Sequence, residues 1–322
     1  NTNDAFIVKK LKEKGALILG KANLSEWAYY FCTGCPLGYS AVGGQTLNPY
    51  GRGLFETGGS SSGSGVSVAT NYAVAAVGTE TSGSILSPSS KNSVVGLKPT
   101  IGLLSRSGIV PISSTLDTPG PMTKSVIDNA IFLEAMLGED SEDVATIGVK
   151  YADDYLEGLS VATLKDKRIG VMNTLLIDSI YKQSVEKIKN AGAQLVYFDP
   201  VQIRLRGFRT LLTGDMKRDL PNYISTFADA GVQVNNVNDV VEMNNLDTIK
   251  RAPYGQQLFD GIAKDTTSDA WLSHVKSSLN QNGLKFFSEP MVEHNLDAVL
   301  SINNYHASYA AVAKYPCITV PM

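Results

Sequence analysis

Apolar and polar positions alternate along this chain in two recurring patterns. The first appears in "NDAFIVKKLKEKGALILGKANLSEW", where Ile7, Val8 and Leu11 keep helical spacing and lysines occupy the intervening positions. Asn3 or Asp4 is positioned to cap that helix, Gly15 to end it, and "ALILG" to follow as a short apolar strand. The same order returns in "SVEKIKNAGAQLVYFDP", Ser184 to Pro200, with Gly192 between helix and strand and an earlier strand at "RIGVM", Arg168 to Met172. Two such units predict an α/β fold whose central sheet is mixed and largely parallel, sandwiched between helices.

The rest of the pattern fills in around them. Val66 to Ala76 reads as a buried helix of small residues, "SVVGLKPT" as a strand, and Ile101 to Met122 as a Gly/Pro/Ser-rich connection. Ser141 to Asp166 is polar with helical tendency, and Arg204 to Leu284 is mostly polar helix, so residues 200–290 are expected as a helical region peripheral to the sheet. "LDAVLSI", from Leu296, is a further apolar strand.

One stretch interrupts this pattern. "TGGSSSGSGVS", Thr57 to Ser67, has the composition of a flexible linker. A linker joins two units that are each complete, whereas the residues before Thr57 are too few to bury a core. The run therefore lies inside a domain, and one α/β domain spanning residues 1–322 is expected.

Composition narrows the function. With 43% hydrophobic and 18% charged residues the chain is of globular type, and a net charge of −3 without a basic cluster argues against nucleic acid or an anionic membrane surface as partner. No apolar run reaches the eighteen or so residues that span a bilayer. Three cysteines make no disulfide framework and fit a reducing, cytoplasmic compartment; Cys32 and Cys35 form a C-x-x-C without a second ligand pair at zinc spacing, so they read as ordinary thiols and no metal site is expected. A small-molecule or peptide partner fits better.

Serine is a weak nucleophile until a base takes its proton, and acyl transfer needs donors aimed at the developing oxyanion. In "GTETSGSILSPSS", Thr81, Ser82, Gly83 and Ser84 can form a turn whose amides converge on one point, with Ser84 at its end as the natural nucleophile. Glu80 beside it is expected to hold the turn by accepting backbone N–H groups. A P-loop needs Gly-Lys-Ser/Thr, which the Gly/Ser run lacks. His274, His294 and His306, with Asp297 or Asp117 as orienter, offer a Ser-His-Asp alternative without a nucleophile elbow. Asp117 is most simply a turn residue, while Trp27, Tyr29 and Tyr30 serve equally as acyl pocket or core.

Taken together, "GALILGKANLSEWA", "NPYGRGLFETGGSSSGSGVSVATNYAVAAVGTETSGSILSPSSKNSVVGLKPT" and "GLLSRSGIVPISSTLDTPGPM" resemble the amidase signature family, in its peptide amidase-like and general amidase branch. That resemblance implies a Ser-cisSer-Lys hydrolase cleaving a carboxamide C–N bond through an acyl-enzyme, without cofactor. It places the nucleophile on Ser84 and the cis-serine on Ser60, 24 positions earlier. Gly59 and Ser61 then support the cis-peptide loop, and Thr81, Ser82, Gly83 and Ser84 form the oxyanion hole.

The resemblance also puts the general-base Lys upstream of Asn1, and the family pattern continues past "YPCITVPM", so a chain shortened at both ends is expected. Lys21 and Lys98 match structural family lysines, and Lys91 is a weak candidate base. Leu86 stands where many members carry Arg, which weakens the case for a substrate carboxylate beside the scissile amide. The glutamine-dependent amidotransferase subunit that acts on misacylated tRNA is the first rival, a non-catalytic binding protein the second, and a redox role for Cys32 and Cys35 the third. A homodimer is left open.

Overall fold

The computed structural model describes residues 3–152 and 154–321. Helix α1 (Phe6–Glu13) buries Ile7 and Leu11 against Leu104, Leu133 and Met136. Its N-cap is Ala5, without a side-chain cap; Asp4 pairs with Lys12 at 2.6 Å instead of capping. Beyond Gly15, Ala16 to Gly20 forms no strand. Leu17 and Leu19 are 88% and 76% exposed, because no neighbouring backbone among the described residues offers them a ladder.

A two-residue ribbon pairs β1 (Tyr39–Ser40) with β2 (Gly44–Gln45). The Gly/Ser run then turns directly into α2 (Ser62–Ala69), four residues earlier than the apolar pattern predicts, and the chain is already β3 (Ala75–Glu80) where a helix was expected to continue. After α3 (Leu86–Lys91) come β4 (Val95–Lys98), β5 (Thr118–Thr123) and α4 (Val126–Glu134), the last capped by Ser125 Oγ accepting the Asp128 amide. Among the described residues, the polar segment from Ser141 to Asp166 holds only short 3-10 turns.

The second half contains β6 (Arg168–Met172), α5 (Ser179–Asn190), β7 (Gln194–Phe198), α6 (Phe208–Phe227), α7 (Val237–Asn245), α8 (Thr248–Arg251), α9 (Gln257–Ala263) and α10 (Asp269–Glu293). It ends with β8 (Ala298–Leu300), α11 (Ala307–Ala313) and β9 (Cys317–Thr319). The sheets correct the expectation of a largely parallel centre. The order β3-β5-β4-β9 is antiparallel at every step, and β7-β6-β8 is parallel. The reason lies in β5: β3 and β4 run the same way across the α3 crossover, but β5 inserts between them and opposes both.

Helices α6 to α10 occupy the region expected as peripheral. Leu211 and Leu212 of α6 pack with Ile112 and Leu116, with Val275 and Leu279 of α10, and with Val312 of α11. Met216 and Leu220 meet Phe31, Val240 and Phe259. This second cluster also holds Cys32 and Cys35, which form a disulfide rather than two free thiols; the turn through Gly34, at φ +74°, brings their Cα atoms to 5.7 Å. No helix among the described residues is long and apolar enough to cross a membrane.

Candidate active site

The Gly/Ser run is held by the segment that precedes it. Ser25 N–H donates to the Ser60 carbonyl at 3.0 Å, and Gly63 N–H to the Asn23 carbonyl at 2.7 Å. Ser25 Oγ accepts the Gly38 amide at 2.8 Å, and Asn23 Nδ2 donates to Gly38, Gly44 and Thr46. Such contacts need glycine. A Cβ on Gly63 would lie 2.3 Å from the Asn23 carbonyl oxygen, and one on Gly59 2.7 Å from Ser25 Oγ. The Gly59–Ser60 peptide is cis. Neither Asn23 nor Ser25 was singled out by the sequence, since their partners sit thirteen or more positions away and only packing reveals them.

Ser61 ties this loop to the second serine-rich stretch. Its N–H donates to the Ser84 carbonyl at 3.1 Å, and its Oγ donates to the Thr79 carbonyl while accepting the Thr79 amide, both at 3.0 Å. Ser60 and Ser84, 24 positions apart in sequence, thus stand on adjoining backbones. Ser60 is 1% exposed, and its Oγ has no hydrogen-bond partner among the described residues. Ser84 is partly exposed.

The turn from Thr81 to Ser84 is organised by the two carboxylates that flank it. Glu80, 1% exposed, accepts the Ile85 and Leu86 amides at 2.7 and 3.0 Å, while the Gly83 amide faces it without completing a hydrogen bond. Burial raises its pKa, and the charge of Lys98 together with these amides opposes that. Asp117 accepts from Thr81 Oγ1 at 2.5 Å and from the Ile112 and Ser113 amides at 2.8 Å, so it is a turn residue that also fixes Thr81. Burial pushes its pKa up to about 6. Gly83 sits at φ +84°, with Asn304 so close that a Cβ would meet its Nδ2 at 2.6 Å. Asn304 carried no signal in the sequence.

Ser60, Glu80, Thr81 and Asp117 line a narrow pocket of about 20 Å³ with Ala28 and Arg106. Ala28 reaches it through a left-handed stretch over Trp27, Ala28 and Tyr29 (φ 48°, 52° and 69°). Trp27 itself packs on Phe259, and Tyr30 Oη pairs with Thr213 Oγ1 at 3.0 Å, so both serve the core. Ser82, Gly83 and Ser84 stand outside the pocket wall.

The other candidates lie elsewhere. His274 stacks on Trp271, His294 gives its carbonyl to Arg168, and His306 Nδ1 meets Ser301 Oγ at 2.6 Å; none lines the pocket. Asp297 binds the Arg168 amide. Lys91 is exposed at the end of α3 and does not line the pocket, and Lys21 is exposed as well. Lys98 is fully buried, its Nζ donating to the Pro99 carbonyl at 3.0 Å, and Leu86 is 4% exposed.

The amidase family model matches residues 1–266. The chain belongs to the amidase family. A probable amidase of Arabidopsis thaliana is 35% identical over 339 residues, 99% of this chain and 64% of its own length. Among solved structures, an amidase family protein from Bacillus anthracis superposes with TM-score 0.94 at 40% identity over 99% of this chain and 64% of its own. The native peptide amidase of Stenotrophomonas maltophilia gives 0.91 at 36%, over 99% of this chain and 70% of its own. A glutamyl-tRNA(Gln) amidotransferase component of Lawsonia intracellularis is 38% identical, but over 200 residues, 60% of this chain and 40% of its own length. This amidase-family chain spans about 64% of the length of its Arabidopsis relative.

Proposed function

We propose that the protein is an amidohydrolase in which Ser84 attacks a carboxamide carbon and Ser60 relays its proton. The observation that carries the reading is the junction of the two loops: Ser61 N–H on the Ser84 carbonyl, with the unpartnered, buried Ser60 Oγ beside it. A buried hydroxyl without a partner costs about 1–3 kcal/mol, and a proton relay gives it one.

In this reading the Ser84 proton passes to Ser60 Oγ while the proton of Ser60 passes to a neutral lysine amine upstream of Asn1, as the family resemblance places it. The oxygen of the tetrahedral intermediate meets the backbone of Thr81, Ser82, Gly83 and Ser84, which Glu80 and Asp117 hold from two sides. The protons return along the same path to the departing nitrogen, ammonia or an amine leaves, and water hydrolyses the ester on Ser84. Nucleophile, relay and oxyanion donors are all protein groups, so a chelator should leave the rate unchanged. The substrate is a small-molecule or peptide amide, as the peptide amidase neighbour's name suggests.

The test is ammonia release from a panel of carboxamides by the full-length protein. The parent should turn them over alone, and Ser84→Ala should lower kcat by at least about 10³-fold. Release only in the presence of partner subunits would favour the amidotransferase reading. Binding without release would favour the non-catalytic one.

A further inference from the structure

The narrow pocket opens outward. Arg106, Ile109 and Asp117 belong both to its wall and to that of a chamber of about 450 Å³, so the chamber is the approach to Ser60. Its far side is one face of α6, where Asp219, Tyr223 and Phe227 recur at intervals of four. The rings of Tyr223 and Phe227 are 5.7 Å apart.

The charges on the chamber wall do not balance. Arg106 is the one cation on it among the described residues, and it is committed to Asp143, with Nη2 on Oδ1 at 2.5 Å and Nε on Oδ2 at 2.8 Å. Lys276, behind this face, is tied to Asp215 at 2.6 Å. Asp219 and Glu142 are left facing the chamber, while Asp117, which also lines it, has both oxygens bound to Thr81, Ile112 and Ser113. Asp219 accepts the Ser114 amide on one oxygen. At the inner end of the same cleft is Ser60 Oγ, buried and without a partner, which marks the cleft as built to receive a ligand.

We propose that this chamber is the subsite for a cationic group carried by the amide substrate, an alkylammonium or guanidinium, with Asp219 as the specificity-determining carboxylate and Tyr223 and Phe227 as aromatic walls. The proposal rests on the amidohydrolase reading and names its substrate class. A half-buried carboxylate attracts a cation more strongly than water does, and a flanking aromatic face adds to the attraction without binding the neutral isostere equally well.

The experiment compares N-acetyl-lysinamide, N-acetyl-norleucinamide and the α-amide of N-acetyl-glutamate with the full-length protein. The ratio of kcat/KM between two substrates in one preparation does not depend on how much of that preparation is folded. Lysinamide should be preferred over norleucinamide by about tenfold. Asp219→Asn should shrink that ratio toward one, and Asp219→Lys should turn the preference toward the glutamate amide. A parent ratio near one, or a ratio that neither variant moves, overturns the proposal. If no amide is hydrolysed, equilibrium binding of N-acetyl-argininamide to the full-length Ser84→Ala variant decides separately. Salt-sensitive binding that weakens about tenfold on adding Asp219→Asn upholds the subsite though the hydrolase reading falls. Binding indifferent to both refutes it.

Discussion

Glu80 and Lys98 show how single residues set the frame of this site. Both are fully buried, burial disfavours the charge on each, and their mutual attraction opposes that. Cys317 sits with them, its thiol pushed up to about 11 by burial, and therefore neutral. Lys98→Met would remove the opposing charge and leave the Glu80 carboxylate to the Ile85 and Leu86 amides alone, at a cost of about 1–3 kcal/mol, read as a drop in the urea stability of the full-length protein. Asp117 acts with a definite sign. Because its pKa rises from 3.8 to about 6 on folding, the native state holds a proton there that the unfolded chain has already released. Its contribution to stability therefore falls as pH rises across that window and is level above it. The stability of the parent relative to Asp117→Asn should decline between those two values; a constant difference contradicts the assignment. At this scale Ser60 and Ser84 were legible through their spacing and the family resemblance. Asn23, Ser25, Arg106, Asn304 and Asp219 were not, because each acts on a partner remote in sequence.

At the scale of elements, glycine decides where backbones can meet. Helix α2 presents Gly63 to the Asn23 backbone, with room for hydrogen only, and Gly65 to the Pro88 carbonyl in a tight contact. Gly63→Ala should separate α2 from Asn23 and carry the cis-serine loop with it, costing about 1–3 kcal/mol and most of the activity. Gly261→Ala, in α9 with nothing within 4 Å, should instead raise stability by about 0.5–1 kcal/mol. Thermal unfolding of the two variants side by side distinguishes them. The same physics explains which elements the sequence discloses. Helix α5 and strand β7 have an amphipathic face, an apolar run and Gly192 between them, all local signals. Strand β5 contains Pro119 and Pro121, which argue against a central strand, yet it is central and fully buried. The Pro121 carbonyl is satisfied by Asn129 Nδ2 at 3.1 Å, a contact no local pattern announces. The start of α2 was hidden likewise, since Gly and Ser read as coil until Asn23 and Pro88 fix them.

Across the whole molecule, an antiparallel sheet carries the turn of Ser84 at the end of β3, while helix α6 lines the far side of the chamber that leads to Ser60. The family is established by the match over residues 1–266, and the chemistry is the proposal that joins the two serine loops. An activated serine declares itself by covalent capture, whatever its natural amide. The most direct measurement is the intact mass of the full-length protein after exposure to a sulfonyl fluoride, beside its Ser84→Ala variant. The account predicts one adduct in the parent and none in the variant. A folded parent that takes no adduct, or an adduct that persists in Ser84→Ala, would contradict it.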